Sequence, residues 1–119
     1  MKKIISILGS TGSIGTTTLK IIEKKKNLFR VNILSANSNY ISICDQIIRF
    51  NPKIYIILNK KILFKVKKKF KNKKIKLINS YKELNNKNIR SDITVVAIPG
   101  IAGLEPTIFF IKKSKKVLL

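Results

Sequence analysis

Residues 3–22 read "KIISILGSTGSIGTTTLKII". A short apolar run enters a turn with three glycines, and a pattern typical of a helix follows. The first backbone amides of a helix have no partner within the helix, and the helix dipole adds partial positive charge at that end. The stretch therefore predicts a β-strand, a phosphate-binding turn and an α-helix in succession.

The rest of the chain continues this alternation. Apolar runs predict strands at 4–8, 31–36, 54–58, 75–78, 92–98 and 116–119, and helical patterns cover 16–25, 40–50 and 60–70. A shorter helix is expected from Ser80, where "SYKE" has the form of a capping box, and another near Pro106. Strict β-α alternation favours a doubly wound, Rossmann-type parallel sheet with helices on both faces, and we expect residues 1–119 to form one such domain.

Each glycine of the turn has an expected role. Gly9 makes the tight turn, Gly12 lets a pyrophosphate approach the backbone, and Gly15 lets the helix lie near the sheet. The hydroxyl groups between them are further candidate donors to phosphate: Ser10, Thr11 and Ser13. A Walker loop is excluded because no Lys-Ser/Thr pair follows the glycines. The alternative is a tight βα turn that binds nothing.

Two other loops lie at the carboxyl ends of predicted strands. The second strand ends in "SANSN" (35–39), which has no carboxylate to accept from the 2′-hydroxyl of NAD. Asn37, Ser38 and Asn39 can donate to a 2′-phosphate, so NADP is favoured; the alternative is that they cap the next helix, as Asn39 could. Gly100, in the loop after the fifth strand, is expected near the nicotinamide, or else belongs to a plain βα loop.

The formal net charge of +21 raises the possibility of a nucleic-acid binder. However, 23 lysines face only 3 arginines, and 23 isoleucines and 11 asparagines indicate a bias towards A/T-rich codons. Specific contacts to bases and bidentate contacts to phosphates favour arginine over lysine. We therefore favour a solvated lysine face over a nucleic-acid site, and expect neither a specific nucleic acid nor a membrane as partner.

Catalytic groups are scarce. The chain has no histidine, one cysteine and five acidic residues: Glu23, Asp45, Glu83, Asp92 and Glu105. Their spacing matches no metal site or catalytic pair, and Cys44 lies on the apolar face of a predicted helix, which is typical of a core residue. No catalytic or metal-binding residue is therefore assigned.

Taken together, three stretches resemble the 1-deoxy-D-xylulose 5-phosphate reductoisomerase family. "ILGSTGSIGTTTLKII" (7–22) is similar to its cofactor fingerprint, "FRVNILSANSN" (29–39) to its second strand and adenosine-phosphate loop, and "AGLEPTIFFIKKSKKVLL" (102–119) to the end of its cofactor domain. The resemblance spans the whole chain, although 51–91 matches in pattern rather than in motif.

The resemblance implies an NADP-dependent oxidoreductase that converts 1-deoxy-D-xylulose 5-phosphate to 2-C-methyl-D-erythritol 4-phosphate in non-mevalonate isoprenoid biosynthesis. It implies NADPH with Mg²⁺ or Mn²⁺, a homodimer and a cytoplasmic location. It further implies that Thr11, Gly12, Ser13 and Ile14 contact the NADPH phosphates and that 37–39 surround the 2′-phosphate. The sequence departs from the family's Gly-Lys-Asn at 37–39, which is expected to weaken the preference for NADP.

The family's metal ligands and substrate-binding residues follow the segment that this chain matches. We therefore expect a cofactor domain cut before the catalytic and C-terminal domains, which binds NADPH without turnover on its own. The alternatives are a non-catalytic or degenerate nucleotide-binding protein and, less favoured, a basic nucleic-acid-binding protein.

Overall fold

The computed structural model describes residues 2–84, 91–98 and 114–118. Its strands are β1 Lys3–Leu8, β2 Phe29–Ala36, β3 Ile54–Ile57, β4 Lys76–Ile78, β5 Ser91–Val96 and β6 Ser114–Leu118. Its helices are α1 Ser13–Lys24, α2 Tyr40–Phe50 and α3 Lys60–Lys69, and a 3₁₀ turn spans Tyr81–Leu84.

All six strands join one parallel sheet in the order β4-β3-β2-β1-β5-β6. Strands within such a sheet are covered on both faces, which explains the nearly unbroken apolar run of β3. Strands β2, β3 and β4 lie on one side of β1, and β5 and β6 lie on the other. The predicted Rossmann-type α/β fold is confirmed.

Two apolar clusters lie on opposite faces of the sheet. The larger contains the inward residues of all three α-helices, including Leu19, Ile47 and Val66. The smaller contains Ile33, Ile56 and other strand residues under the 3₁₀ turn, whose Leu84 is fully buried. Among the described residues, the three α-helices therefore share one face and the 3₁₀ turn packs on the other, whereas the sequence predicts helices on both faces.

Periodicity predicts that Ile14, Thr18, Ile21 and Ile22 form the inward stripe of α1, and of these only Ile22 is buried. Gly15, Leu19 and Ile22 are buried, whereas Ile14 is 63% and Ile21 is 53% exposed. Gly15 must face the turn, because nothing larger fits there, and this fixes the rotation of the helix. The helix also begins at Ser13 rather than at residue 16.

Further differences are smaller. Periodicity predicts an inner face of α2 that includes Ile43, Cys44, Ile47 and Ile48. Ile48 is instead 60% exposed, and Gln46 is buried. The helix expected from Ser80 is a single 3₁₀ turn of four residues. The helix expected near Pro106 lies outside the described residues. In the part of the chain that the structure describes, no helix has the length and apolar character needed to span a membrane.

Candidate functional site

The sheet reverses its strand order beside β1. β1 pairs with β2 on one side and with β5 on the other. From β2 the sheet continues outward to β3 and β4, and from β5 it continues to β6 on the opposite side. In open parallel sheets, ligands bind outside the carboxyl ends of the strands at such a reversal. The glycine turn leaves β1 at this point, with Ala97 and Ile98 beside it after β5.

Gly9 makes the tight turn that its position predicts. Its φ is +82°, a left-handed conformation that side chains other than glycine rarely adopt. A Cβ at Gly9 would also lie 2.8 Å from the carbonyl oxygen of Ala97. Its amide donates to the carbonyl and hydroxyl oxygens of Ser35, each at 3.0 Å, so the turn is tied to the end of β2.

Gly15 and Gly12 differ in what surrounds them. A Cβ at Gly15 would overlap the carbonyl oxygen of Gly9 and lie 2.7 Å from the Cα of Ser10, so the helix packs directly on the turn. A Cβ at Gly12 would meet only the Gly9 carbonyl oxygen, at 3.8 Å, and otherwise points into open space. Gly12 is therefore not required for packing, and its open side leaves room for a ligand against the backbone.

The amino end of α1 has no side-chain cap. The N-cap residue is Gly12, and the first backbone hydrogen bond of the helix runs from the Thr16 amide to the Gly12 carbonyl at 2.9 Å. By contrast, Asn39 caps α2 by accepting from the Ser42 amide, and Asn59 caps α3 by accepting from the Ile62 amide. Of the three α-helices in the described ranges, only α1 presents its first-turn amides without a capping side chain.

The prediction that the Ser10 hydroxyl donates to phosphate is wrong. Its side chain is fully buried, and its hydroxyl donates to the Oε1 of Gln46 at 2.7 Å and lies 2.9 Å from the Tyr55 hydroxyl. The Nε2 of Gln46 donates back to the Ser10 carbonyl at 2.8 Å. Burial raises the pKa of Tyr55, which keeps the phenol neutral. The Ser10 hydroxyl therefore anchors the turn to α2 and is not a donor to phosphate.

The neighbouring hydroxyls face outward. Ser13 is exposed and Thr11 is half-buried, and both border cavities at the edge of the sheet. The first cavity, which we call the carboxyl-edge groove, has a volume of about 270 Å³ and is lined by Gly9, Thr11, Gly12, Ser35, Ala36, Asn37, Leu58, Tyr81, Ala97 and Ile98. A second, of about 330 Å³, is lined by Gly12, Ser13, Ile14, Val96, Ala97 and Ile98. Their shared residues show that the two adjoin across the glycine turn.

The residues after β2 border the carboxyl-edge groove. Asn37 lines the groove, and Ser38 and Asn39 are exposed next to it. The Oδ1 of Asn39 accepts from the Ser42 amide at 3.2 Å. Asn39 is therefore the cap of α2, the role that the sequence left open, and its oxygen is occupied. Gly100 lies outside the described residues.

Tyr81 is a groove residue that the sequence interpretation missed. It begins the 3₁₀ turn, and its hydroxyl lies 2.8 Å from the Ser35 hydroxyl. Burial raises the pKa of Tyr81, and the hydrogen bond with Ser35 opposes this in part. The signal that could have found it is its place directly after a strand, within the capping box.

The described acidic residues have structural partners. Arg49 pairs with Glu23 and Asp45 on the helix surface, and Glu83 accepts from the Asn79 and Ser80 amides. Asp92 accepts from the Ile4 amide at 2.7 Å and pairs with Lys115. Across the described ranges, no three of the His, Cys, Asp and Glu side chains cluster as metal ligands.

Two other predictions from the sequence concern Cys44, expected in the core, and the lysines, expected on a solvated face. Cys44 is buried in the larger apolar cluster, as expected of a core residue. The lysines of α3 lie on its exposed face, where Lys65 lies 5.1 Å from the centre of the Tyr40 ring. Both placements match the expectations from the sequence.

Comparison with known proteins gives a single family. A family model described as 1-deoxy-D-xylulose 5-phosphate reductoisomerase matches residues 5–119. The chain is 42% identical over 126 residues to the protein of that name from Buchnera aphidicola subsp. Schizaphis graminum, and 38% identical over 122 residues to that of Pelagibacter ubique. Both matches cover 100% of the chain but 31% of the relative.

Solved structures agree. The chain superposes on 1-deoxy-D-xylulose 5-phosphate reductoisomerase from Zymomonas mobilis in complex with NADPH with a TM-score of 0.85 and 30% identity, covering 95% of this chain and 30% of that one. A reductoisomerase in complex with NADPH, fosmidomycin and magnesium gives a TM-score of 0.85 and 26% identity, covering 98% and 29%. The chain thus spans less than one third of the length of the proteins it matches.

Proposed function

The chain belongs to the 1-deoxy-D-xylulose 5-phosphate reductoisomerase family, and we propose that residues 1–119 form its NADPH-binding domain. The observation that carries the proposal is the uncapped amino end of α1, next to the open side of Gly12. A pyrophosphate there would accept from the first-turn amides and complement the helix dipole. No acidic side chain occupies the first turn of α1 to take that role.

Different residues of the chain contact different parts of the cofactor. Thr11, Gly12, Ser13 and Ile14 contact the phosphates, chiefly through backbone amides, while Gly9 and Gly15 shape the turn. Asn37 and Ser38 lie around the 2′-phosphate, with the amide nitrogen of Asn39 as a further donor. Gly100 is assigned to the nicotinamide end. Ser10 supports this arrangement from inside the protein and does not contact the cofactor.

For the whole protein we propose the activity in the family's name, with NADPH as reductant: conversion of 1-deoxy-D-xylulose 5-phosphate to 2-C-methyl-D-erythritol 4-phosphate. NADPH supplies the hydride for such a reduction, and the residues described here bind and orient it. Mg²⁺ or Mn²⁺ and the sugar phosphate are assigned to other parts of the enzyme, since the described acids are engaged in ion pairs and caps. We further propose a cytoplasmic homodimer without a nucleic-acid or membrane partner.

Calorimetric titration of the chain with NADPH, NADH and tripolyphosphate tests the proposal. Each titration is run at about 0.05 and 0.2 M salt, because binding by diffuse positive charge weakens steeply over that range. The proposal expects 1:1 binding of NADPH that is tighter than that of tripolyphosphate and persists at the higher salt. Equal affinity for NADPH and tripolyphosphate, lost at the higher salt, would instead favour a polyanion-binding basic protein. No binding of any of the three would favour a degenerate nucleotide-binding fold.

A further inference from the structure

The 3₁₀ turn that carries Tyr81 is held in place by side chains. The Oε2 of Glu83 accepts from the Asn79 amide at 2.9 Å and from the Ser80 amide at 3.1 Å. The Ser80 hydroxyl oxygen accepts from the Lys82 amide at 3.2 Å. This reciprocal capping fixes the backbone on both sides of Tyr81. The backbone that carries Tyr81 is therefore held in place, and the hydrogen bond to Ser35 ties its side chain to the end of β2.

The same turn is tied to the sheet beside the groove. The Nδ2 of Asn79 donates to the carbonyl oxygens of Ile57 and Leu58, at 2.9 and 3.0 Å. Ile57 ends β3, and Leu58, which follows it, lines the carboxyl-edge groove together with Tyr81. The aromatic ring thus forms a fixed wall of the groove.

Either hydroxyl can be the donor in the hydrogen bond between Ser35 and Tyr81, and burial distinguishes the two arrangements. Ser35 is 1% exposed, and its hydroxyl oxygen already accepts from the Gly9 amide at 3.0 Å. A buried hydroxyl also needs an acceptor for its own hydrogen, and among the described residues the Tyr81 oxygen, 2.8 Å away, is the one the Ser35 hydroxyl meets. The arrangement in which Ser35 donates satisfies the more deeply buried of the two hydroxyls, and it leaves the phenolic hydrogen of the half-buried Tyr81 for a partner in the groove.

The place of Tyr81 in the groove indicates which part of a ligand it meets. The glycine turn and Asn37 both line the groove. Ser35 and Ala36, at the end of β2, line it as well, and Tyr81 is bonded to Ser35. A dinucleotide whose pyrophosphate lies at the turn places its adenosine ribose over the end of the second strand. Burial raises the pKa of Tyr81, which keeps the donor protonated at neutral pH.

We propose that Tyr81 is a cofactor-positioning residue: its phenolic hydroxyl donates a hydrogen bond to the adenosine half of NADPH, and its ring forms one wall of that subsite. This inference rests on the proposed function, because it requires a dinucleotide in the groove. It adds a contact from the segment after β4, which the glycine turn and residues 37–39 do not supply.

Matched variants of the full chain test the inference. Tyr81→Phe removes the hydroxyl and keeps the ring; Tyr40→Phe makes the same change at a half-buried tyrosine outside the groove. A net hydrogen bond is worth about 1 kcal/mol, so Tyr81→Phe should weaken NADPH binding about five-fold and Tyr40→Phe should leave it unchanged. Tyr81→Leu, which also removes the ring, should weaken it further.

Cofactor fragments separate a contact from a merely structural effect. Adenosine 2′,5′-bisphosphate carries the adenosine half, and inorganic pyrophosphate probes the glycine turn alone. Tyr81→Phe should weaken the bisphosphate about five-fold and leave pyrophosphate unchanged. Equal weakening of both would mean that Tyr81 acts only through the turn and would overturn the inference. Unchanged NADPH affinity in Tyr81→Phe would overturn it while the proposed function stands. Failure of the wild-type chain to bind NADPH would overturn both.

Discussion

A Cβ on Gly9 would lie 2.8 Å from the carbonyl oxygen of Ala97, so no side chain fits between the backbones that follow β1 and β5. Gly9 also has a φ of +82°. We expect Gly9→Ala to lower the free energy of unfolding by about 3 kcal/mol, from backbone strain and overpacking together. Gly12→Ala, with an extended backbone and open space at the Cβ, should cost less than about 1 kcal/mol. Urea unfolding measures both, and equal losses would contradict this account of the turn.

The two serines of the turn should have opposite effects. Ser10→Ala leaves the Gln46 and Tyr55 side chains short of a partner in the interior and should destabilise the fold by about 1–3 kcal/mol. The NADPH affinity of the folded variant should change less than two-fold or so. Ser13→Ala, at an exposed position, should leave stability unchanged and weaken NADPH binding a few-fold. Unfolding and titration of both variants check this, and the prediction fails if Ser10→Ala is the variant that weakens binding.

Asn37 should set the choice between NADPH and NADH. Asn37→Asp places a carboxylate on the wall of the groove, where it repels a 2′-phosphate and accepts from a 2′-hydroxyl. The ratio of NADPH to NADH affinity should fall about ten-fold or more. Asn72→Asp, in the exposed turn after α3, adds the same charge away from the groove and serves as the control. An unchanged ratio in Asn37→Asp, or an equal fall in both variants, would remove residue 37 from the 2′-phosphate site.

Asp92 should make the fold sensitive to acid. The Ile4 amide lowers the pKa of its carboxyl, and Lys115 and Lys3 lower it further, against the opposing effect of burial. A lowered folded-state pKa adds stability above the ordinary carboxyl pKa of about 4, and this is lost as pH falls through the folded value. Asp92→Asn should be less stable at neutral pH and show a flatter loss of stability below about pH 4.

Salt separates the causes of that shift. A high salt concentration screens Lys115 and Lys3 but leaves the Ile4 hydrogen bond in place. The difference between wild type and Asp92→Asn in acid unfolding should therefore persist, reduced, in about 1 M salt. Parallel pH profiles of the two proteins at low salt would show that Asp92 has no such role.

The order of strands and helices could be predicted from the sequence because each apolar run has the length of one element. The rotation of α1 could not. Glycine carries no hydrophobic signal at position 15, and the 23 isoleucines place apolar residues on every side of the helices. Periodicity therefore places Ile14 and Ile21, which are exposed, on the predicted inward stripe of α1 and leaves out Leu19, which is buried.

In the candidate site too, some roles could be predicted from the sequence and others could not. The role of Gly9 follows from local spacing, because one turn fixes it. Ser10 and Tyr81 depend on partners far along the chain: Gln46 lies 36 residues after Ser10, and Tyr81 lies 46 residues after Ser35. Only the folded sheet brings these pairs together. Sequence spacing alone therefore predicts a phosphate ligand at Ser10 and gives no sign of the role of Tyr81.

The central claim is that the uncapped amino end of α1 holds the NADPH pyrophosphate. Gly12→Asp tests it, because an aspartate N-cap satisfies the first-turn amides and complements the dipole from within the chain. The most direct measurement is calorimetric titration of wild type and Gly12→Asp with NADPH, beside their urea unfolding curves. The account predicts that the variant is at least as stable as wild type and that NADPH binding is lost. A variant of unchanged stability that binds NADPH as tightly as wild type would contradict it.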